Sequence, residues 1–238
     1  MNVIVINGSP RGERSNTMVL TRAFLEGATW ESSAWGDAQV IDISKEDVQG
    51  CRGCFSCWEK TPGKCIIGDG MCDILPKIIA ADIVIWSFPL YSCSFPGKMK
   101  CFMDRMLPLA LPFMDKDAKS GGHPMRHDLS HQRHFYISTC GFWTADGNYD
   151  SIIKMLEHGG GRDHKAFSIF CGQGELFTIP DPELKKLTDA YLEIVRKAGE
   201  ECASGEISPK THKRLAQPIF SKEDYESMAD GSWEINNS

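Results

Sequence analysis

The segment "NVIVINGSPRGERSNT", residues 2–17, decides the fold. Its first half is a short continuous apolar run rich in β-branched residues and closed by Gly8, the pattern of a strand buried on both faces. Its second half is a polar loop ending in Ser15, Asn16 and Thr17. That N-cap signal opens a helical spacing of apolar positions at Val19, Leu20, Ala23, Phe24 and Gly27. A doubly buried strand feeding straight into a helix is the unit of a parallel sheet covered by helices on both sides.

The same alternation repeats outward from there. Residues 38–43, 82–89, 134–141 and 166–174 read as further strands, and residues 71–81, 96–107, 149–160 and 181–203 as helices. Pro76 weakens the helix over 71–81 or delays its start. Five strands alternating with helices, without internal repeats, predict an α/β doubly wound five-stranded parallel sheet. The order expected is flavodoxin-like, 2-1-3-4-5, with a C-terminal extension, and the ligand site lies beyond the carboxyl ends of strands 1 and 3. Residues 1–204 are expected to form one domain. The polar but aromatic tail, 205–238, is expected to pack on the body or on a partner subunit.

Composition narrows the function classes. A net charge of −6 and a pI near 5.7 disfavour a nucleic-acid surface, which needs clustered positive charge. The longest apolar run, residues 78–91, is broken by Asp82 and Pro89 and is too short to span a bilayer. The first ten residues lack the basic start and small-residue cleavage site of a secretory signal, so a cytoplasmic protein is expected. With 42% hydrophobic residues the chain can bury a full core without disulfide staples.

The loop after strand 1 matches neither the G-x-G-x-x-G dinucleotide turn nor a P-loop. It offers Ser9, Ser15, Asn16 and Thr17 as hydrogen-bonding groups and Arg11 or Arg14 as positive charge, in front of a helix N-terminus with free N–H groups. Such a loop would hold one terminal phosphate. Gly8, Ser9, Pro10, Arg11, Ser15, Asn16 and Thr17 resemble the first loop of the flavodoxin-like NAD(P)H-dependent FMN reductases. After strand 3, Pro89, Tyr91, Lys100, Phe102, Asp104 and Arg105 are similar to a second segment of that family, although Ser92 stands where tryptophan is common.

The resemblance implies a non-covalent FMN whose phosphate is gripped by Ser9, Arg11, Ser15, Asn16 and Thr17. It places the ring and ribityl chain along Pro89, Leu90, Tyr91 and Ser92, and gives Asp104 and Arg105 a structural role at a subunit contact. By position in the fold, Thr139, Cys140 and Gly141 complete the pocket, with Phe142 and Trp143 either touching the ring edge or packing inside. The resemblance further implies NAD(P)H as co-substrate, a small-molecule or protein acceptor such as a quinone or flavin, and a homodimer or homotetramer. No catalytic side chain is nominated, because the flavin carries the chemistry.

"CRGCFSCWEKTPGKC", residues 51–65, concentrates four of the ten cysteines. The C-x2-C-x2-C spacing of Cys51, Cys54 and Cys57, with Cys65 following, looks like iron–sulfur ligation. It resembles the compact motif of the iron–sulfur flavoproteins, a branch of the same family, which would add a [4Fe–4S] cluster and suit an electron carrier without NAD(P)H activity of its own. A ligand-free loop packed near the flavin, a zinc site and a thiol–disulfide role stay open. Cys72, Cys93, Cys101, Cys140, Cys171 and Cys202 are expected to be ordinary packing residues. His123, His127 and His131 fall in a glycine- and proline-bearing loop and His134 begins strand 4; the four are not expected to bind metal.

Overall fold

The five apolar runs form one parallel sheet in the order β2-β1-β3-β4-β5. The strands are β1 (Val3–Asn7), β2 (Gln39–Asp42), β3 (Ile83–Pro89), β4 (Arg133–Thr139) and β5 (Ala166–Cys171). The computed structural model describes residues 1–28, 38–117, 121–159 and 166–233. Gly160 of the expected fourth helix and residues 234–238 of the tail lie outside them.

Alternation along β1 explains its continuous hydrophobicity, since successive side chains face opposite sides of the sheet. Val3 and Val5 join Ile83, Ile85, Phe135 and Ile137 on one face, under α1 (Asn16–Gly27). Ile4 and Ile6 join Val84, Trp86 and Phe88 on the other, with α3 (Met71–Ala80) and α4 (Gly97–Asp104). A single turn, α2 (Ser56–Glu59), lies in the cysteine segment, and α5 (Asp150–Gly159) precedes β5. The helix α3 does not start late, and Pro76 lies on its exposed side. Asp69 fixes its beginning by accepting a hydrogen bond from the Met71 N–H at 3.2 Å.

On the first face α1 meets α6 (Pro182–Ser204) backbone to backbone. A Cβ on Gly199 would lie 2.1 Å from the Phe24 carbonyl oxygen, and one on Gly27 1.9 Å from that of Arg196. Glycine inside a helix costs about 1 kcal/mol relative to alanine, and here the close approach of the two helices requires it. Gly199→Val is therefore expected to lower stability by about 2–3 kcal/mol, read as a fall in the calorimetric midpoint. An unchanged midpoint would mean that the helices separate without cost.

Beyond α6 the chain forms α7 (Pro209–Leu215) and α8 (Lys222–Gly231). Tyr191 of α6 donates to the Leu215 carbonyl at 2.9 Å, and the Tyr225 ring is buried. Among the described residues no helix is long and apolar enough to cross a membrane.

Candidate functional site

In the order β2-β1-β3-β4 the connections leaving β1 and β3 run in opposite directions, which opens a crevice at the carboxyl ends of these two strands. The loop after β1 is folded by its own polar groups. The Asn7 side-chain oxygen accepts from Ser9 N–H at 3.1 Å, and the Ser9 hydroxyl oxygen accepts from Arg11 N–H at 3.3 Å. A 3-10 turn over Gly12–Arg14 leads to Ser15, whose hydroxyl oxygen caps α1 by accepting from Met18 N–H at 3.2 Å.

The residues that the family resemblance nominates divide by exposure. Ser9, Ser15, Thr17, Leu90, Thr139 and Cys140 are buried, whereas Arg11, Tyr91, Ser92 and Gly141 are exposed and Asn16 and Pro89 half-exposed. The buried group ties the loops together. Thr17 and Thr139 share a hydrogen bond of 2.6 Å between their hydroxyls, and Leu90 N–H donates to the Thr139 carbonyl at 2.9 Å. Thus the ends of α1, β3 and β4 are held as one unit, and the exposed group is what that unit presents to a ligand. Neither Arg11 nor Arg14 forms an ion pair among the described residues. Asn7 Nδ2 is buried at the end of β1 with no hydrogen-bond partner among the described residues.

The loop after β3 ends in a tight turn. Tyr91 and Ser94 exchange backbone hydrogen bonds of 3.0 and 2.9 Å, and the two residues between them, Ser92 and Cys93, have φ of 48° and 56°. This is the mirror-image hairpin turn that favours Asn-Gly. Tyr91, 47% exposed, and Phe142, 53% exposed, stand as apolar rims of the crevice. Trp143 instead turns inward and donates to the Phe220 carbonyl at 3.1 Å. Cys93 is exposed, so it contributes no packing, contrary to expectation; Cys72 is exposed as well. Cys93→Gly is expected to raise stability by about 0.5–1 kcal/mol by relieving the left-handed conformation, measurable as a higher urea midpoint. A lower midpoint would contradict that account.

A further site loop lay hidden inside an expected strand. Strand β5 ends at Cys171, and "GQG", residues 172–174, turns over the end of β4. A Cβ on Gly174 would lie 2.7 Å from Thr139 Cβ. The pair of glycines around Gln173 was the signal for such a close approach. Gln173, buried at φ 56°, accepts from the N–H groups of Ile219 and Phe220 and donates to the Phe220 carbonyl. Tyr225 donates to the Gly141 carbonyl at 2.8 Å and bonds to Glu175. Burial, followed by the adjacent Glu175, pushes its phenol well above the ordinary value. Thr178 donates to the Asn16 side-chain oxygen at 2.9 Å.

The cysteine segment forms a second feature. Cys51 and Cys54 are exposed, Cys65 is half-buried and Cys57 is buried. All four line one recess, open to solvent, together with Ile67, Arg105 and Pro108. Burial raises the Cys57 thiol pKa, with the sulfur of Cys65 next in effect, while hydrogen bonding to Ser56 lowers that of Cys54. Among the described residues no three His, Cys, Asp or Glu side chains converge on a single point where one metal ion would sit.

Arg105 anchors this segment. Its guanidinium donates to both Asp69 carboxylate oxygens at 2.6 and 2.8 Å and to the Gln49 carbonyl at 2.8 Å. The arginine side chain is 1% exposed and the aspartate side chain 0%. The resemblance implied a subunit contact for Arg105; instead it is buried within its own chain, because the lone acidic residue after the cysteines reaches back to it. Asp104 stays at the surface, paired with Lys100 at 2.6 Å. Trp58 also ties the segment down, donating to the Ala110 carbonyl at 3.0 Å. The eight-residue α4, about 12 Å long, connects the Tyr91–Ser94 turn to this recess.

The histidines of residues 123–134 serve separate places. His123 Nδ1 bonds to the Phe113 carbonyl and its ring packs on Trp58, whereas His134 lies in β4 against Trp86.

Comparison with known proteins agrees with this geometry. An iron–sulfur flavoprotein of Methanocaldococcus jannaschii is 36% identical over 122 residues, 51% of this chain and 60% of that protein. One of Methanosarcina thermophila is 32% identical over 109 residues, 46% of this chain and 54% of that protein. The matches thus span about half of each curated relative. In fold the chain is similar to an FMN-dependent NADH-azoreductase from Bacillus anthracis in complex with FMN, with a TM-score of 0.55 at 20% identity over 91% of this chain and all of that one. It is also similar to an NAD(P)H:quinone oxidoreductase from Methanothermobacter marburgensis, with a TM-score of 0.58 at 15% identity over 85% of this chain and 98% of that one. Residues 1–132, more than half of the 238 and including β1, the loop after it, the cysteine segment and Arg105, match the sequence model of NADPH-dependent FMN reductases, and the chain belongs to that family.

Proposed function

We propose that this chain is an FMN-dependent oxidoreductase that takes hydride from NAD(P)H and passes electrons to an acceptor such as a quinone, a second flavin or a protein. The observation that carries the reading is that Arg11 and Arg14, beside the N-terminus of α1 in a family of FMN reductases, form no ion pair among the described residues. In a chain of net charge −6, two exposed guanidiniums at a helix N-terminus suit a dianionic phosphate. FMN, when bound, supplies hydride acceptance and onward electron transfer.

The chain's own residues hold and orient. Arg11, Asn16 and the first N–H groups of α1 bind the phosphate. The oxygens of Ser9 and Ser15 already accept from backbone N–H groups, so their hydroxyl protons remain free to donate. Tyr91 and Phe142 flank the ring and exclude water from it. Thr17 and Thr139, engaged with each other, fix the distance between the phosphate loop and the loop after β4.

A second reading, the iron–sulfur electron carrier, is favoured by one observation: four thiols share a recess with a buried guanidinium. Four thiols that line one recess, with no three ligands converging on one metal point among the described residues, suit a polynuclear group better than zinc, which requires all sulfurs within about 4 Å of one another. Cys51, Cys54, Cys57 and Cys65 would hold the cluster. The test is an absorption spectrum of anaerobically purified protein, followed by addition of NADH or NADPH. Flavin bands that bleach within seconds support the enzyme. No flavin retained after incubation with FMN rejects it, and flavin that NAD(P)H leaves oxidised points to the carrier.

A further inference from the structure

Arg105 is a long side chain buried at the wall of the four-cysteine recess, and it connects both ends of the segment that carries the cysteines. Gln49, two residues before Cys51, and Ile67, two residues after Cys65, both offer carbonyls to it, at 2.8 and 3.5 Å. Asp69 takes its two terminal nitrogens at 2.6 and 2.8 Å, and Asp69 itself accepts from Gln49 N–H at 2.9 Å. The third guanidinium nitrogen, Nε, is buried and has no hydrogen-bond partner among the described residues. A buried donor without an acceptor costs about 1–3 kcal/mol. The guanidinium lines the recess together with Cys65.

We infer that Arg105 is the positioning residue of the cysteine centre: it closes the loop by holding Gln49 and Asp69, and its Nε–H donates to a sulfur held in the recess. The inference rests on the reading that the four cysteines bind an iron–sulfur cluster, and it goes beyond that reading by assigning a residue outside the cysteine motif. Each added electron puts more negative charge on the sulfurs, so an N–H···S hydrogen bond stabilises the reduced form more than the oxidised one. The guanidinium's own charge is offset by Asp69, so the effect comes from the aimed N–H donor. Arginine suits both tasks because its fork can hold a carboxylate with two nitrogens while the third points elsewhere.

The experiment uses the full chain, reconstituted anaerobically with ferrous iron and sulfide. Two variants are compared with the wild type: Arg105→Lys, which keeps the charge but loses the fork, and the double variant Arg105→Gln with Asp69→Asn, which removes the ion pair without stranding a buried charge. Iron and sulfide per chain are determined, and the midpoint potential is read by a spectroscopically monitored redox titration. Wild type is expected to load the cluster. The double variant should shift the reduction equilibrium at least tenfold toward the oxidised form, 59 mV for one electron, with Arg105→Lys falling between. Loss of cluster from either variant in air several times faster than from wild type supports the same role. A loaded double variant whose potential and lifetime in air equal the wild type's overturns the inference alone. Wild type that takes up no iron and sulfide overturns the cluster reading and the inference with it.

Discussion

Replacing Arg105 by methionine is expected to destabilise the protein by about 3–5 kcal/mol, a fall of about 6–20 °C in melting midpoint for a chain of this length. The reason is the partner left behind. Asp69 has a fully buried side chain, and without the guanidinium its carboxylate is desolvated with only the N–H groups of Gln49 and Met71 for company. The same loss releases the Gln49 carbonyl, so both ends of the cysteine segment come free together. Removing both charges, as Arg105→Met with Asp69→Asn, should recover much of the loss, since a buried pair taken out whole costs far less than one broken in half. If the single and double variants melt at the same temperature, the pair contributes nothing as a pair.

Acid should reach this interaction from the aspartate side. The Asp69 carboxyl is held below its ordinary value by the Arg105 guanidinium, against the opposing effect of burial, and then by the Gln49 and Met71 N–H groups. A folded value below the unfolded one means that the contribution is fully present above the unfolded carboxylate pKa of about 3.9. It is lost as pH falls through the depressed folded value. Wild type is therefore expected to lose urea resistance below about pH 4 more steeply than the double variant. Parallel pH profiles for the two proteins would show that the acid sensitivity lies elsewhere.

Strand β1 was legible because burial on both faces leaves an unbroken apolar run that no surface element shows, and the order of the sheet followed from counting strands. The loop after β1 was legible as a polar turn ending in the cap of α1, but not the division of labour within it. Ser9, Ser15 and Thr17 read as ligand donors, yet their side chains bond to Arg11 N–H, to Met18 N–H and to Thr139. A hydroxyl's partner depends on which backbone it meets, and for Thr17 that partner is 122 positions away. Arg105 was misplaced for the same reason: a D-R pair on a helix carries no mark of the Asp69 it will meet 36 residues earlier. The tail's grip on Gln173 was out of reach altogether, since a glutamine between glycines names no partner in a segment 46 residues on.

The remaining expectation concerns the ligand itself. Replacing Arg11 and Arg14 together by alanine should weaken FMN binding at least about 100-fold while leaving riboflavin, which lacks the phosphate, nearly unaffected. Hydrogen bonds to charged groups contribute about 1.5–3 kcal/mol each, so two lost together amount to about 3 kcal/mol or more, and each 1.4 kcal/mol is tenfold in affinity. The rest of the protein cannot compensate, because its net charge of −6 repels a dianion at long range and only local donors oppose that. Both arginines are exposed, so their attraction for the phosphate should fade as salt shortens the screening length to about 3 Å at 1 M. Wild type should therefore narrow its preference for FMN over riboflavin in high salt, whereas the double variant should show a smaller preference that changes little with salt. Fluorescence titration with both flavins reads the difference directly. Equal losses for FMN and riboflavin would mean that the arginines shape the loop rather than meet the phosphate, and the N-terminus of α1 with Asn16 would then hold it alone.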